Sequence, residues 1–471
     1  MDVHPLKLSC VDGNGMDRHP ALGPLIRINP DELHCSDPEF LNEVYAGGQR
    51  PRNKSQHWIS GFPSNLHTAT VFTIDHDTHR SRRSAFIKFF SRMRTSRLQG
   101  VVHQTAQKLC DKMLGYKEQG PFETMKAYSC FTTDIISEYC FGRSTAFLDQ
   151  PGWDSNYLSS VNSVGQMIHM LRQFPLLGHF LHRMPLLLLR MFSPYLWRTM
   201  NEMTVVMPNE IDQLKKISSA EMEKERTTVF LSMLQSDLPA SEKDTDRLAA
   251  EAQTLFLGGT DTTAATLNSV TYHLLDNPDI YNKLRAELLT EVADATSLPA
   301  WEVLEKLPYL SAVILEGLRH VYGSVSRLPR TATEEDLVYQ GSWRPSPTAA
   351  PIEVKHVIPR GYAVGMSTFM IHGDETIFPT ASQFIPERWL GENNKRRRDL
   401  ENYLLSFSKG SRQCLGMQLA YCMLYLCITA VVLRVLPHMA LFATAKEDVE
   451  YDHDELMAHP KRGSKGIRVI L

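Results

Sequence analysis

Cys414 lies in the stretch Phe407-Ser-Lys-Gly410-Ser-Arg412-Gln-Cys414-Leu-Gly416, a glycine-punctuated loop that runs into a long apolar segment. A cysteine in that setting is suited to act as a thiolate ligand to haem iron. The glycines let the backbone approach a flat macrocycle and adopt conformations closed to other residues. Helix-start amides beside Cys414 favour the charged sulfur, and Arg412 supplies a cation for a haem propionate. A buried structural cysteine would account for Cys414 but not for Phe407, Gly410, Arg412 and Gly416 around it.

Those five residues, at these intervals, resemble the haem-binding signature of the cytochrome P-450 family at every position, and four further stretches are similar to that family's motifs in the family's order. The first is Gly258-Gly259-Thr260-Asp261-Thr262-Thr263, after good helix formers from Arg247 to Phe256. Each mid-helix glycine costs about 1 kcal/mol against alanine, so something must sit against that backbone. If it is the distal face of a haem, the absent side chains leave room for dioxygen, and the Thr262 hydroxyl can disturb the helical ladder and donate a hydrogen bond. The stretch looks like the family's oxygen-activation helix, which implies that Asp261 and Thr262 route protons inward. A kinked core helix with an incidental acid-threonine pair is the plainer alternative.

Glu316-Gly-Leu-Arg319 sets a carboxylate and a guanidinium on one helical face amid Val313, Ile314, Leu315 and Leu318. Exposed pairs of this kind contribute little. The resemblance implies a third member, Arg388 in Phe384-Ile-Pro386-Glu387-Arg388-Trp389, which completes a buried structural network locking the region of the cysteine loop. In Asp75-His-Asp-Thr-His79-Arg-Ser-Arg-Arg83, His79 and Arg83 share one helical face at the spacing of the family's propionate contacts, whereas Arg80 and Arg82 read as a solvated basic face. Arg330, in Arg327-Leu-Pro-Arg330, stands where the family often places another propionate partner.

These motifs need elements to hold them. Leu25 to Ile28, before Asn29-Pro30-Asp31-Glu32, reads as a strand followed by a turn and a helix start. Thr132 to Gly142 reads as a helix ended by glycine, and Val357 to Met370, turning at Pro359-Arg-Gly361, fits a hairpin. Leu419 to Leu436 carries one charge, Arg434, and is long enough to cross a bilayer. It follows the proposed iron ligand so closely that it reads instead as the buried helix behind the haem. A second apolar region, Phe174 to Trp197, is broken by Pro175, Pro185 and Pro194 and suits the roof of a substrate pocket or a membrane surface.

With 471 residues, 43% of them hydrophobic, the chain can bury a large core. Length alone suggests about three domains. The motifs from His79 to Gly416 nevertheless converge on one cofactor, so residues 1–471 read as a single unit, mainly α with a smaller β-rich portion. A net charge of −3 gives no reason to invoke nucleic acid. The eight cysteines form no CxxC pair, which fits a reducing compartment. No HExxH zinc motif, no GxGxxG after a strand and no GxxxxGKS/T loop occurs. Without a nucleotide-binding segment the protein needs an electron-donating partner. Lys395-Arg-Arg-Arg398 is the one dense basic run, either a solvated loop or a dock for an acidic reductase.

The resemblance implies a cytochrome P-450 fold and haem b (iron protoporphyrin IX) bound through Cys414. It also implies electrons from NADPH through NADPH-cytochrome P-450 reductase, and insertion of one oxygen atom from O2 into a lipophilic small molecule. Likeness to fungal members of secondary metabolism points to a terpenoid, polyketide or alkaloid substrate. Two alternatives stay open: a haem-thiolate isomerase or dehydratase working without reductase, and a non-catalytic haem-binding product of a truncated gene. Members of the isomerase kind tend to lack the acid-threonine pair. Microsomal members begin with an anchor helix, whereas this sequence reaches Gly23-Pro-Leu-Ile-Arg-Ile-Asn-Pro30 without a hydrophobic span. The expectation is therefore a chain lacking the N-terminal anchor and first helix, placed by resemblance at the cytosolic face of the endoplasmic reticulum membrane, or else in the cytoplasm. Gly341 to Lys355, rich in Pro and Ser, reads as a surface insertion, and Met423 stands where fungal members often carry an acid.

Overall fold

Six helices carry or pack around the motifs in the computed structural model of the protein: α1 (His76–Ile87), α2 (Arg92–Leu114), α3 (Thr124–Phe141), α4 (Thr245–Asp276), α5 (Pro308–Val321) and α6 (Met417–Arg434). The structure describes residues 19–153, 165, 167–174, 177–178, 180, 184, 186–216, 228–346 and 348–471. Cys10, Pro175 and Pro185 lie outside the described residues.

Side chains set the helix ends. The Asp75 carboxylate accepts from Thr78 N at 2.8 Å to open α1, and Asp244 caps the first amides of α4. Proline stands in the first turn of α5, where its missing N–H costs nothing. Gly142, at φ 78°, closes α3 as expected. The apolar run after Cys414 becomes α6, whose most apolar window has a mean hydropathy of 2.2 and is 83% buried inside the protein. It packs on α2 and α4 as the core helix anticipated, and α4 in turn lies along α3. One apolar cluster joins all six helices.

The strands are few and short. β1 (Leu25–Asn29), β2 (Glu32–Cys35), β3 (Arg52–Lys54), β4 (Arg330–Ala332) and β7 (Ala363–Gly365) form a sheet in the order β1-β2-β7-β4-β3, while β5 (Leu337–Trp343) and β6 (Ile352–Ile358) pair separately. A mainly α architecture with a minor β portion results. Within the larger sheet Lys54 is the cross-strand partner of Arg330, which sets two cations side by side. A second apolar cluster beneath these strands includes Leu405, just before the cysteine loop.

Two local expectations are corrected. Glu32 begins a strand rather than a helix, because the Asn29 side chain accepts from Asp31 N at 2.9 Å and closes a turn that returns β2 antiparallel to β1. Residues 357–370 form no hairpin. After Pro359 the chain leaves β6, Gly361 N bonds Ala332 O at 2.9 Å, and β7 joins the other sheet between β2 and β4. Much of 341–355 is the far end of the β5-β6 hairpin, with Gly341 opposite Val354 and Trp343 opposite Ile352, and its described residues lie at the surface. In the apolar region after Phe174, Leu189 is buried against the cluster that contains Trp58 and Phe72, whereas Phe174, Leu187 and Met191 are exposed.

Candidate active site

A cavity of about 420 Å³ lies between α4 and the loop that leads into α6. Cys414 lines it. Protein surrounds this residue, yet its surface is open to the cavity, whereas the other described cysteines are buried. The loop is held by Cys414 N donating to Phe407 O at 2.9 Å and Ser411 N to Ala46 O at 3.2 Å. Gly410 is indispensable there: its φ is 70°, and a Cβ would fall 2.2 Å from Tyr45 O. Gly416 differs, since a Cβ on it would meet only open space at the cavity wall. Burial raises the Cys414 thiol above its ordinary 9.0, outweighing the amides of Gly416 and Met417 and the charge of Arg83, which pull the other way.

Basic side chains gather at one edge of the cavity. Arg412 donates to the carbonyls of Thr73 (2.6 Å) and Ile74 (2.7 Å), but its Nε is buried without a partner among the described residues. Burial, then Arg330, bring its pKa down to about 9. Arg330 Nη1 reaches only the carbonyls of Leu328 and Pro329, and its guanidinium lies 5.2 Å from the Tyr45 ring centre. His79 is held down to about 2 by burial and by Arg412, Lys54 and Arg83 around it. No ion pair to a carboxylate is present for Arg83, Arg330 or Arg412 among the described residues. Burying such charges without counter-charge is costly. Arg80 is exposed as expected, but Arg82 is not simply solvated: it pairs with Glu242 at 3.1 Å and donates to Thr68 O and Thr73 Oγ1.

On the opposite wall α4 continues as one helix through Gly258 and Gly259. Gly259 lets α3 approach, since a Cβ there would lie 3.0 Å from Ile136, and beside Gly258 there is only open space. Thr262 Oγ1 donates to Gly258 O at 2.7 Å. Asp261 is buried at the cavity with Oδ1 lacking a partner among the described residues, and burial lifts its carboxyl from 3.8 to about 6.

Glu316 and Arg319, 0% and 1% exposed, form a bidentate pair at 2.8 and 2.9 Å. Arg388 Nε donates to the same carboxylate at 3.0 Å, as do Trp389 Nε1 at 2.8 Å and Ile385 N at 2.9 Å. Burial pushes the Glu316 carboxyl up, but the hydrogen bonds and charges of Arg319 and His320 outweigh it and hold it well below 4.5.

A thiol facing open space, glycines with empty room beside them, and buried guanidinium groups lacking an anion together fit a planar macrocycle bearing two carboxylates. Comparison with known proteins agrees. The family model described as "Cytochrome P450" matches residues 33–462. The chain belongs to the cytochrome P-450 family.

Curated relatives include "Cytochrome P450 monooxygenase ppzE" of Metarhizium majus, 44% identical over 85% of this chain and 84% of the relative. The "N-acetyltryptophan 6-hydroxylase ivoC" of Emericella nidulans is 34% identical and the "Tryptophan 6-hydroxylase fscE" of Fusarium equiseti 36%, each over 96% of this chain and 85% of the relative. Cytochrome P-450 membership implies a haem cofactor, a redox partner and a small-molecule substrate, and it makes the chain an oxygen-incorporating oxidoreductase of the monooxygenase class. Members of the family are commonly membrane-associated. Among the described residues no group of His, Cys, Asp and Glu could hold a separate metal ion.

Sequence reasoning about this cytochrome P-450 missed His372, Trp389, Lys54 and Trp58. His372 and Trp389 join the Glu316 network through backbone contacts and an indole N–H, which no spacing rule announces. A signal existed for Trp389, adjacent to Arg388 in the quoted motif. Lys54 and Trp58 line the cavity from a strand and the short helix after it, far in sequence from the other site residues.

Proposed function

We propose that the Cys414 thiolate would hold haem b through its iron, with Phe407, Gly410 and Gly416 shaping its loop and His79, Arg83, Arg330 and Arg412 meeting the propionates. Glu316, Arg319 and Arg388 serve as the scaffold of that loop, within one domain spanning the chain. When bound, the haem supplies dioxygen activation and insertion of one oxygen atom into a substrate C–H bond, favoured by a thiolate donor. Thr262 Oγ1 holds a proton at the cavity wall, and the Asp261 carboxyl, at about 6, exchanges protons near neutral pH and passes them to it. Phe86, Phe90, Ile136 and Leu257 exclude water around the substrate.

One observation carries this reading: Cys414, unlike the other described cysteines, presents its sulfur to the same cavity that Asp261 and Thr262 line. That acid-threonine pair, together with relatives named as monooxygenases and hydroxylases, supports oxygen insertion over the isomerase alternative. Electrons come from NADPH through NADPH-cytochrome P-450 reductase. In the basic run, Arg397 pairs with Asp399 at 2.6 Å and Arg396 with Glu401, which leaves Lys395 and Arg398 as the cations for docking. The protein works at the cytosolic face of the endoplasmic reticulum membrane, in keeping with its family and with the exposed Phe174, Leu187 and Met191. Its substrate is a lipophilic metabolite, and the names of two relatives single out derivatives of tryptophan as the first candidates.

Purified holoprotein, reduced and treated with CO, should show the absorption of a thiolate-ligated haem, and Cys414→Ala should abolish it. An unchanged spectrum in that variant overturns the ligand assignment. Consumption of NADPH and O2 with added reductase then tests the monooxygenase step.

A further inference from the structure

Two polar donors line the cavity, and among the described residues neither has an acid to answer it. Lys54 is 8% exposed, burial and then the charges of Arg330 and Arg412 lower its pKa well below 10.5, and the hydrogen bond of Nζ goes to the Val71 carbonyl. Trp58 is 7% exposed, and its indole Nε1 is buried with no acceptor among the described residues. The Lys54 Nζ lies 4.9 Å from the Trp58 ring centre and 6.0 Å from that of Phe72, so the amine sits against the indole that carries the second donor. A buried indole N–H without a partner and a buried ammonium without a counter-charge each oppose folding, and such groups persist where a ligand completes them.

The neighbouring charges are already engaged. Glu251, the acid on this wall, is held by Arg247 at 2.6 Å and by Thr70 N at 2.6 Å. Arg330 and Arg412, tethered by backbone carbonyls, face the propionates under the function proposed above. Lys54 stands beside Arg330 in the sheet, within reach of the charges of Arg330 and Arg412, and its amine lies against the aromatic wall. That wall is continuous: the rings of Trp58 and Phe62 are centred 4.9 Å apart and those of Phe62 and Phe72 4.3 Å.

We propose that Lys54 Nζ and Trp58 Nε1 together receive the carboxylate of an aromatic acid substrate, whose apolar body lies in the cavity toward Cys414. A carboxylate has lone pairs for both donors and the charge that the ammonium lacks, and such charge-assisted bonds are stronger than neutral ones. The patch thereby selects acids over neutral lipophiles of the same shape. This deepens the substrate reading made under the proposed function and rests on it.

The test uses reductase-free holoprotein titrated with N-acetyltryptophan and with its neutral amide, binding being read from the shift of the haem Soret band. The acid should bind more tightly than the amide. Lys54→Met should weaken the acid about tenfold or more while leaving the amide unchanged, and Trp58→Phe, which keeps the ring but removes the donor, should do the same to a smaller extent. Haem content and the CO spectrum should match the parent in both variants. Equal affinity for acid and amide in the parent, or equal weakening of both in the variants, overturns the proposal. Loss of haem from Lys54→Met likewise overturns it, by assigning that ammonium to the propionates. If neither tryptophan derivative binds a protein with a normal CO spectrum, the tryptophan reading fails alone, and 4-phenylbutyrate against its amide puts the same question to the patch.

Discussion

His372 Nε2 accepts a hydrogen bond from the backbone N–H of Leu405 at 2.9 Å, while its Nδ1 donates to the carbonyl of Arg319 at 2.9 Å. One imidazole thus ties the buried ion network to the segment that enters the cysteine loop. Burial brings its pKa down to about 3, so the ring is neutral in the folded state. Because that value lies below the unfolded 6.5, the contribution is complete above 6.5 and is lost as pH falls toward 3. His372→Ala strands a buried N–H and a buried carbonyl, and the expected loss is about 2–4 kcal/mol in urea unfolding with faster haem release. A loss below about 0.5 kcal/mol, the size of an ordinary surface change, would show the link to be idle.

Gly410 and Gly416 should fail differently. At Gly410 a Cβ collides with the Tyr45 and Ala46 carbonyls, so Gly410→Ala should give poorly folded protein even before haem is added. Gly416→Ala has room, and its φ of −84° suits any residue. That apoprotein should unfold within about 0.5 kcal/mol of the parent yet take up haem weakly. Parallel denaturation and haem titration distinguish the two, and equal behaviour would contradict the placement.

Asp261→Asn should exchange stability for activity. Burial raises the Asp261 carboxyl to about 6 from 3.8, so the folded state holds the proton more tightly than the unfolded state does. Stability therefore declines as pH rises from about 4 to 6 and stays reduced above it, by up to about 3 kcal/mol. The amide removes that decline, which thermal melts of apoprotein across this range can read. Turnover should fall about a hundredfold if the carboxyl relays protons. In Thr262→Ala, electrons from NADPH should appear as hydrogen peroxide rather than product, and full coupling there would exclude the relay.

Glu316→Gln leaves Arg319 and Arg388 buried without their anion. The expected cost is about 3–5 kcal/mol in chemical denaturation, accompanied by loss of the CO spectrum. Arg388→Ala should lie in the same range, since its Nε meets the same oxygen that Arg319 Nη2 does. Additive losses in the double variant would mean that the three do not act as one network.

The chemistry of this chain was legible wherever it depends on contiguous residues. The cysteine loop, the Gly258 to Thr262 turn, the Glu316-Arg319 pair and the apolar run of α6 are local patterns, and local spacing determines which side chains share a helical face. Tertiary structure decided the rest, because it joins positions that are distant in sequence. It sent residues 363–365 into the β1-β2 sheet instead of a hairpin, engaged Arg82 with Glu242, threaded His372 between Arg319 and Leu405, and brought Lys54 and Trp58 to the same cavity as Cys414. A single lysine or histidine in a sequence is ambiguous, since its pKa and its partner depend on what the fold buries around it.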